Sequence, residues 1–311
     1  MQWGQIKTLF ILCFLILNIF LLNHFLENLT GDLPLIEDMS REENVRNNVN
    51  GLDHIPEEPP AEEAMLYAQR KEFTEEETKE IMELPDQNNI VIDNHLIISQ
   101  MESPLAISVE ENTEALSEHI WNFDSYQYFG KDEKTNTHIF FQTIDRPIYF
   151  NLSGVLLIQE NEQNEVVHYV QTMLEKADEE TEQEEINKPF DALTGLYFSE
   201  GNIVSGDEIT KEVRLGYHNL LPLPNGVQML APTWEFEVNN DEHFYVNAVE
   251  SHYTIREKNE FIIEMKDQIA EYFVEGSSAV IEASNEDWEE EDLEQLLERL
   301  LDNIELTNGV E

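Results

Sequence analysis

Cysteine is nearly absent from this chain, and basic residues are scarce. The single cysteine, Cys13, lies in an apolar N-terminal run, so no intramolecular disulfide can form and the fold must rest on packing. The 311 residues include 17 Lys and Arg against 66 Asp and Glu, which gives a formal net charge of −49. A charge of this sign and size repels the phosphates of nucleic acids, so we exclude nucleic-acid binding.

The acidic residues are spread along the chain instead of being gathered in one motif. This distribution favours a solvated surface suited to a salty or alkaline exterior. The alternative interpretation is that the carboxylates attract cations or a basic partner. Residues 285–292, NEDWEEED, form the densest acidic cluster, but they lack the alternating Asp or Asn and the Gly of a calcium-binding loop.

Motifs of catalysis are also missing. The sequence contains no Gly-rich phosphate loop, no His-Glu-x-x-His, no Gly-x-Ser-x-Gly and no Cys-x-x-Cys. The nine His residues are scattered, and no pair has a convincing metal-ligand spacing. We therefore expect a protein that is not an enzyme and that has no catalytic, cofactor-binding or metal site.

One long apolar run is present, LFILCFLILNIFLLNHFL at residues 9–26. A helix of that length spans roughly 27 Å, close to the roughly 30 Å of a membrane's hydrocarbon core. The residues after it offer no small-x-small cleavage site, which predicts an uncleaved signal anchor. Lys7 precedes the run and acidic residues follow it. We therefore expect residues 1–8 in the cytoplasm, residues 9–26 across the cell membrane and the rest of the chain outside the cell.

Asn18 is a polar residue near the middle of this predicted transmembrane helix. Lipid offers its amide no hydrogen-bond partner, which favours an interface with another helix. Leu21 and Leu22, one turn further along, would pack beside Asn18 on the same face. A polar residue that is merely tolerated in a single anchor is an equally supported interpretation.

The predicted outer part divides into four segments. Residues 27–60 are a polar stalk that ends in PEEPP, and residues 61–185 and 186–283 are two α+β units. Each unit has the same order of elements, a helix followed by antiparallel strands, which indicates either a duplication or two ordinary meanders. Residues 284–311 contain an amphipathic helix that either docks on the core or binds a partner.

Local signals place several helices and strands in the two units. Residues 61–73 look helical, and a second helix follows from Thr74, where Thr74 and Glu77 fit a capping box and Pro85 ends the run. Another helix is predicted at 189–198, with Pro189 in its first turn. The expected fold class is therefore α+β, with an N-terminal transmembrane helix before two helix-plus-antiparallel-sheet units.

Residues 231–250, APTWEFEVNNDEHFYVNAVE, predict a hairpin. Apolar and polar residues alternate before and after the turn at Asn239 and Asn240, as in strands with one buried face. We expect the apolar side to be core and the polar side to be solvent-exposed surface without a catalytic role. The structural positions of this hairpin are Pro232, Trp234, Phe236, Tyr245, Val246 and Asn247.

Three stretches resemble the YycI family. They are WGQIKTLFILCFLILNIFLL at 3–22, FDALTGLYFSEGNIVSGDEITKEVRLGYHNL at 190–220 and LAPTWEFEVNNDEHFYVNA at 230–248. The family's Arg-Leu-Gly-Tyr strand matches residues 214–217, and its Pro-x-Trp and Tyr-Val-Asn-Ala patterns match residues 232–234 and 245–248. This sequence departs from the family in its acidity and in the roughly sixty residues that follow the hairpin.

The resemblance implies an α+β outer region related to the later domains of YycH. It also implies a bitopic regulator of the YycFG (WalRK) two-component system. The implied partners are the sensor histidine kinase (YycG/WalK-like), whose pathway governs cell-wall metabolism, and a YycH-like protein. An extracytoplasmic module that binds a small ligand or the cell wall, with no kinase partner, is the alternative function.

Overall fold

The computed structural model describes residues 3–30, 39–110, 113–179, 181–199, 202–222, 226–240, 242–273 and 279–285. The chain divides into two compact units, Met1–Asn47 and Asn48–Glu311. The structure confirms the mixed α+β class. Most of residues 284–311, where an amphipathic helix is predicted, lies outside the described residues, as does part of the predicted stalk.

The helices, numbered in chain order, differ widely in length. They are α1 Trp3–Thr30, α2 Arg41–Asn48, α3 Glu75–Met82, α4 Thr113–Leu116, α5 Pro189–Phe198 and α6 Lys258–Glu271. The predicted cap of α3 is confirmed, because the Thr74 hydroxyl accepts from the Glu77 N–H and the Glu77 carboxylate accepts from the Thr74 N–H. The predicted bounds of α5 agree with the structure, with Pro189 in the first turn.

The strands are mostly short. They are β1 Glu62–Ala64, β2 Leu66–Arg70, β3 Gln87–Ile92, β4 Leu96–Leu105, β5 Tyr126–Asp132, β6 Thr137–Ile144, β7 Arg146–Tyr149, β8 Val155–Glu160, β9 Val166–Thr172, β10 Leu174–Lys176, β11 Gln183–Glu185, β12 Arg214–Pro222, β13 Val227–Val238, β14 Glu242–Asn247, β15 Tyr253–Ile255 and β16 Ile281–Ala283. The hairpin of β13 and β14 follows the sequence prediction. Strands β7 and β8 are separated by a turn.

The helix predicted at residues 61–73 is wrong. This segment forms β1 and β2, and β2 pairs with β13 on one side and β10 on the other. Leu66 and Ala68 are buried at alternate positions, which is the period of a strand. Pairing with strands more than a hundred residues away therefore outweighs the local helix propensity.

Fourteen strands form one connected sheet with two halves. We call β5, β6, β8, β9, β4, β3 and β16 the first half-sheet, and β10, β2, β13, β12, β14 and β15 the second half-sheet. The pairings within each half are antiparallel, and β7 connects them by pairing antiparallel with β6 and parallel with β12. Although β2 and β10 precede residue 186, they lie in the second half-sheet. Strands thus cross the boundary predicted between the two α+β units.

A glycine allows β7 to lie beside β12. A Cβ at Gly216 would stand 2.6 Å from the Pro147 carbonyl oxygen and would collide with the ring of Tyr149. Both of these residues belong to β7, so any larger side chain would push the connecting strand away. The glycine of the Arg-Leu-Gly-Tyr motif therefore maintains the connection between the half-sheets.

The first half-sheet is covered on both faces. One face carries Ile90, Ile98 and Phe141, and α6 packs there through residues that include Phe261 and Met265. The other face belongs to a second cluster of buried residues, which includes Val91, Ile97, Phe140, Leu156 and, from α3, Ile81. Helix α6 is not among the elements predicted above, although Phe261, Met265 and Ile269 have helical spacing.

Candidate functional site

The predicted hairpin brings together the six positions singled out from the sequence. In β13, Trp234 pairs with Val246 and Phe236 pairs with Phe244 of β14. Pro232 and Tyr245 occupy the same two strands, and the Asn247 side-chain oxygen accepts from the N–H groups of Val249 and Glu250 at 2.8 and 3.0 Å. Both Asn239 and Asn240 have positive φ, at 55° and 64°, as tight hairpin turns require. The structure thus places these residues in one local unit.

The polar side of the hairpin is buried, so its predicted exposure to solvent is wrong. Glu235 is 6% exposed and Glu237 is 4% exposed, while His243 and Tyr245 on β14 are also buried. The Phe129 ring of β5 lies 5.1 Å from the His243 ring, and the Tyr149 ring of β7 lies 5.1 Å from that of Tyr245. Side chains of β5 and β7, which are distant from the hairpin in sequence, therefore pack on this face. The alternation of apolar and polar residues had assigned the face to solvent.

The buried carboxylates lie among cationic and polar side chains. Arg214 Nη2 lies 3.1 Å from Glu235 Oε2. Lys211 pairs with Glu237, and the Thr210 hydroxyl donates to Glu237 Oε1 at 3.0 Å. The His243 ring lies between the two carboxylates, with Nδ1 3.6 Å from Glu235 Oε1 and Nε2 3.6 Å from Glu237 Oε2. We call Glu235, Glu237, His243, Arg214 and Lys211 the hairpin charge cluster.

The electrostatics of this cluster favour the ionised form of Glu235. Burial by itself raises the pKa of Glu235, but the His243 imidazole and the Arg214 guanidinium outweigh it and lower that pKa below the ordinary value. Burial raises the pKa of the Tyr149 and Tyr245 hydroxyls well above the usual range, and the charge of Glu235 adds to the effect. The tyrosines are therefore neutral and Glu235 is charged at neutral pH.

A second buried charge cluster lies in the first half-sheet. His138 Nε2 lies 3.0 Å from Glu160 Oε2, and Lys131 Nζ lies 2.8 Å from the same oxygen. Burial raises the pKa of Glu160, but the contacts with Lys131 and His138 lower it overall. Sequence reasoning missed both clusters. The only sequence feature that could have indicated them is the presence of charged residues and His inside predicted strands.

These arrangements compensate buried charges within the fold. Each carboxylate of the hairpin charge cluster has a cationic partner, as a buried charge requires. Within the described ranges, no group of three or more His, Cys, Asp and Glu side chains is arranged to hold a metal ion.

Acid is expected to weaken the protein through Glu235. Because its pKa is lower in the folded state than the ordinary 4.5, the unfolded chain takes up the proton first. The stabilisation is fully present above that ordinary value and is lost as pH falls through the lower folded value. Urea midpoints of the wild type and Glu235→Gln, measured from neutral to acidic pH, should converge as pH falls. A constant difference across that range would contradict this assignment.

The other predicted interface residues lie on α1. Asn18, Leu21 and Leu22 are exposed, and Asn18 lines a shallow groove of about 380 Å³ with apolar residues that include Phe14 and Leu15. Among the residues whose placement is described, no helix has both the length and the apolarity of a membrane-crossing segment.

Comparison with known proteins identified a family and a similar solved structure. The family model described as YycI protein matches residues 38–249 of this chain. Among solved structures, the crystal structure of YycH from Bacillus subtilis is similar with a TM-score of 0.35 and 12% sequence identity, over 65% of this chain and 54% of that chain. The chain thus spans about half the length of that protein. No curated protein matches the sequence.

Proposed function

The chain belongs to the YycI family, and from this membership we propose that it regulates the sensor histidine kinase (YycG/WalK-like) of the YycFG (WalRK) system. In this proposal the protein is not an enzyme, is anchored in the cell membrane, and acts together with a YycH-like protein. The kinase pathway it modulates governs cell-wall metabolism.

The observation that carries this proposal is the family match over residues 38–249. The match begins before α2 and extends past the β13–β14 hairpin, so it includes the hairpin charge cluster and every strand of the two half-sheets except β15 and β16. The cluster is also consistent with a regulator, because both of its carboxylates are buried and paired with cationic side chains, so neither is exposed as a general acid or base.

Crosslinking of the full-length protein in its native membrane tests the proposed partners. The crosslinked complexes are purified through a tag and the captured proteins are identified by mass spectrometry. We expect the sensor kinase and the YycH-like protein to be recovered. The control is the same chain with α1 replaced by an unrelated membrane span. Recovery of neither partner from the native chain would contradict the proposed function.

We further propose that α1 is an uncleaved anchor with its N-terminus in the cytoplasm. Support comes from Lys7 before the apolar run and from the absence of a small-x-small site after it. N-terminal sequencing of the protein from the membrane fraction should recover a chain that retains residues 1–26. A mature chain that begins near Glu27 would contradict an anchor.

Asn18→Leu is expected to weaken association with a partner while leaving insertion intact. An interhelical hydrogen bond from the Asn18 amide would contribute about 0.6–2 kcal/mol, which leucine cannot supply. A bacterial two-hybrid assay with the kinase and the YycH-like protein measures the association, and blotting checks membrane levels. Ile16→Leu is the matched control, because two residues along a helix point in nearly opposite directions. Equal association of Asn18→Leu and wild type with both partners would show that Asn18 is merely tolerated.

A further inference from the structure

The short strands β1 and β11 form a two-stranded ribbon outside the fourteen-stranded sheet. They pair antiparallel, so Glu62 lies opposite Glu185 and Glu63 lies opposite Glu184. Within the described ranges neither strand has a second pairing partner, and two paired strands alone are only marginally stable in water. Small changes in the interactions of the ribbon are therefore enough to open or close it.

The two strands of the ribbon are anchored unequally. In β1, the Glu63 carboxylate pairs with the Arg146 guanidinium at 2.6 Å and accepts from the Tyr217 hydroxyl at 3.2 Å. All three residues of β11 are exposed, and among the described residues its two glutamate side chains make no hydrogen bond or ion pair. Backbone hydrogen bonds and the buried Ile186, which follows β11, hold this strand in place. Of the two strands, β11 is thus the one that is free to separate.

The register of the ribbon places like charges opposite each other. Glu62 and Glu185 are both exposed, and no basic residue is present at positions 56–64 or 177–187. Directly opposite side chains of antiparallel strands have Cβ atoms about 4.5–5.5 Å apart, and a like-charged pair at that distance destabilises the pairing. Lys188, the next base along the chain, is exposed and is not within ion-pair distance of either carboxylate. The repulsion between Glu62 and Glu185 is therefore uncompensated.

Ionic strength determines how much this repulsion weakens the ribbon. The Debye length is about 10 Å at 0.1 M ionic strength and about 3 Å at 1 M. Charges about 5 Å apart are therefore screened weakly at the lower concentration and strongly at the higher one. The backbone hydrogen bonds between β1 and β11 join neutral groups, so salt does not screen them in this way. Pairing of the two strands is thus favoured as the salt concentration rises.

We propose that β11 is a salt-dependent strap, which separates from β1 at low ionic strength and pairs with it in roughly molar salt. The strap contributes Glu185 to the wall of an open groove of about 480 Å³, which residues 57–62 also line. Separation of the strap would change that wall and free the backbone edge of β1. The shape of this surface would then depend on the surrounding ionic strength. This inference goes beyond the proposed kinase regulation and does not depend on it.

Hydrogen exchange of the full-length protein in detergent, followed by mass spectrometry, tests the strap. Protection from exchange reports how rarely a paired segment opens. The protection of residues 183–186 should rise about two- to fivefold between about 0.1 M and 1 M sodium chloride, the range expected for one like-charged pair. Glu185→Gln removes the repulsion, so its protection at low salt should already match that of the wild type at high salt. Glu62→Gln should behave alike, and the double variant should add little, because both substitutions remove the same pair.

Glu282→Gln is the matched control. Glu282 is an exposed glutamate of the edge strand β16, but Val91 lies opposite it, so its substitution removes no pair of carboxylates. The variant should leave the protection of residues 183–186 and its dependence on salt unchanged. All of these substitutions are at exposed positions, so the variants are expected to fold, and the urea midpoint checks this.

Two results would overturn the strap. One is protection of residues 183–186 that does not change with salt in the wild type. The other is an equal rise with salt in Glu185→Gln and the wild type, since the effect would then not come from this pair. Full protection in about 1 mM calcium chloride, where the Debye length exceeds about 30 Å, would also overturn it, because a bound cation and not screening would then close the ribbon.

Discussion

Trp234→Ala is expected to destabilise the protein by about 3–5 kcal/mol, one of the largest effects of any single substitution in the hairpin. Trp234 is 1% exposed and lies between Leu215 of β12 and Val246 of β14. Its indole N–H also donates to the Asn187 carbonyl at 2.8 Å, so truncation leaves a cavity and an unpaired acceptor. Urea unfolding of the full-length protein, followed by circular dichroism, measures the loss.

Trp121→Ala is the matched control for this prediction. The Trp121 side chain is half-buried and packs edge-on against Phe73 with ring centroids 5.3 Å apart. Its removal should cost about 1–2 kcal/mol, because less apolar area returns to water. A loss below about 1 kcal/mol for Trp234→Ala would show that Trp234 is not part of the core, and a ligand or partner role would then be the better interpretation.

Arg214→Met is expected to destabilise the protein by about 2–4 kcal/mol. Removing one partner of a buried ion pair leaves the other charge without compensation, at a cost of about 3–5 kcal/mol for a fully buried pair. The Glu235 side chain is 6% exposed but that of Arg214 is 37% exposed, so solvent reduces the effect. The free energy of unfolding in urea is the measurement.

A second substitution separates the ion pair from the packing of Arg214. The double variant Arg214→Met with Glu235→Gln should recover part of the loss, because it no longer buries an uncompensated carboxylate. Arg146→Met is the matched control, since its partner carboxylate, Glu63, is 18% exposed against 6% for Glu235, and it should cost less than about 1 kcal/mol. Equal losses for Arg214→Met and Arg146→Met, with no recovery in the double variant, would contradict a buried pair.

Elements with strong local signals were predictable from the sequence. The capping box of Thr74 and Glu77 marked the start of α3, and Pro189 marked the first turn of α5. The alternation in β13 and the two Asn residues of its turn defined the hairpin. In each case the residues that determine the structure lie within a few positions of one another, so the pattern is visible without the fold.

The assignment to the YycI family also came from local motifs. The Arg-Leu-Gly-Tyr strand and the hairpin carried the resemblance, and the family match over residues 38–249 confirms it. The physical role of the glycine in that motif was not visible in the sequence. Gly216 is required because β7, some seventy residues earlier in the chain, lies against it.

Only the tertiary structure decided the state of the hairpin's polar face. By itself, the sequence determined the charge, the apolar N-terminal run and a hairpin of alternating residues. The alternation predicted that Glu235 and Glu237 face solvent, whereas both are buried and pair with Arg214 and Lys211. Rings of β5 and β7 pack against His243 and Tyr245 on the same face. Burial of a strand's second face depends on which distant segments pack there, and a period of two residues carries no information about those segments.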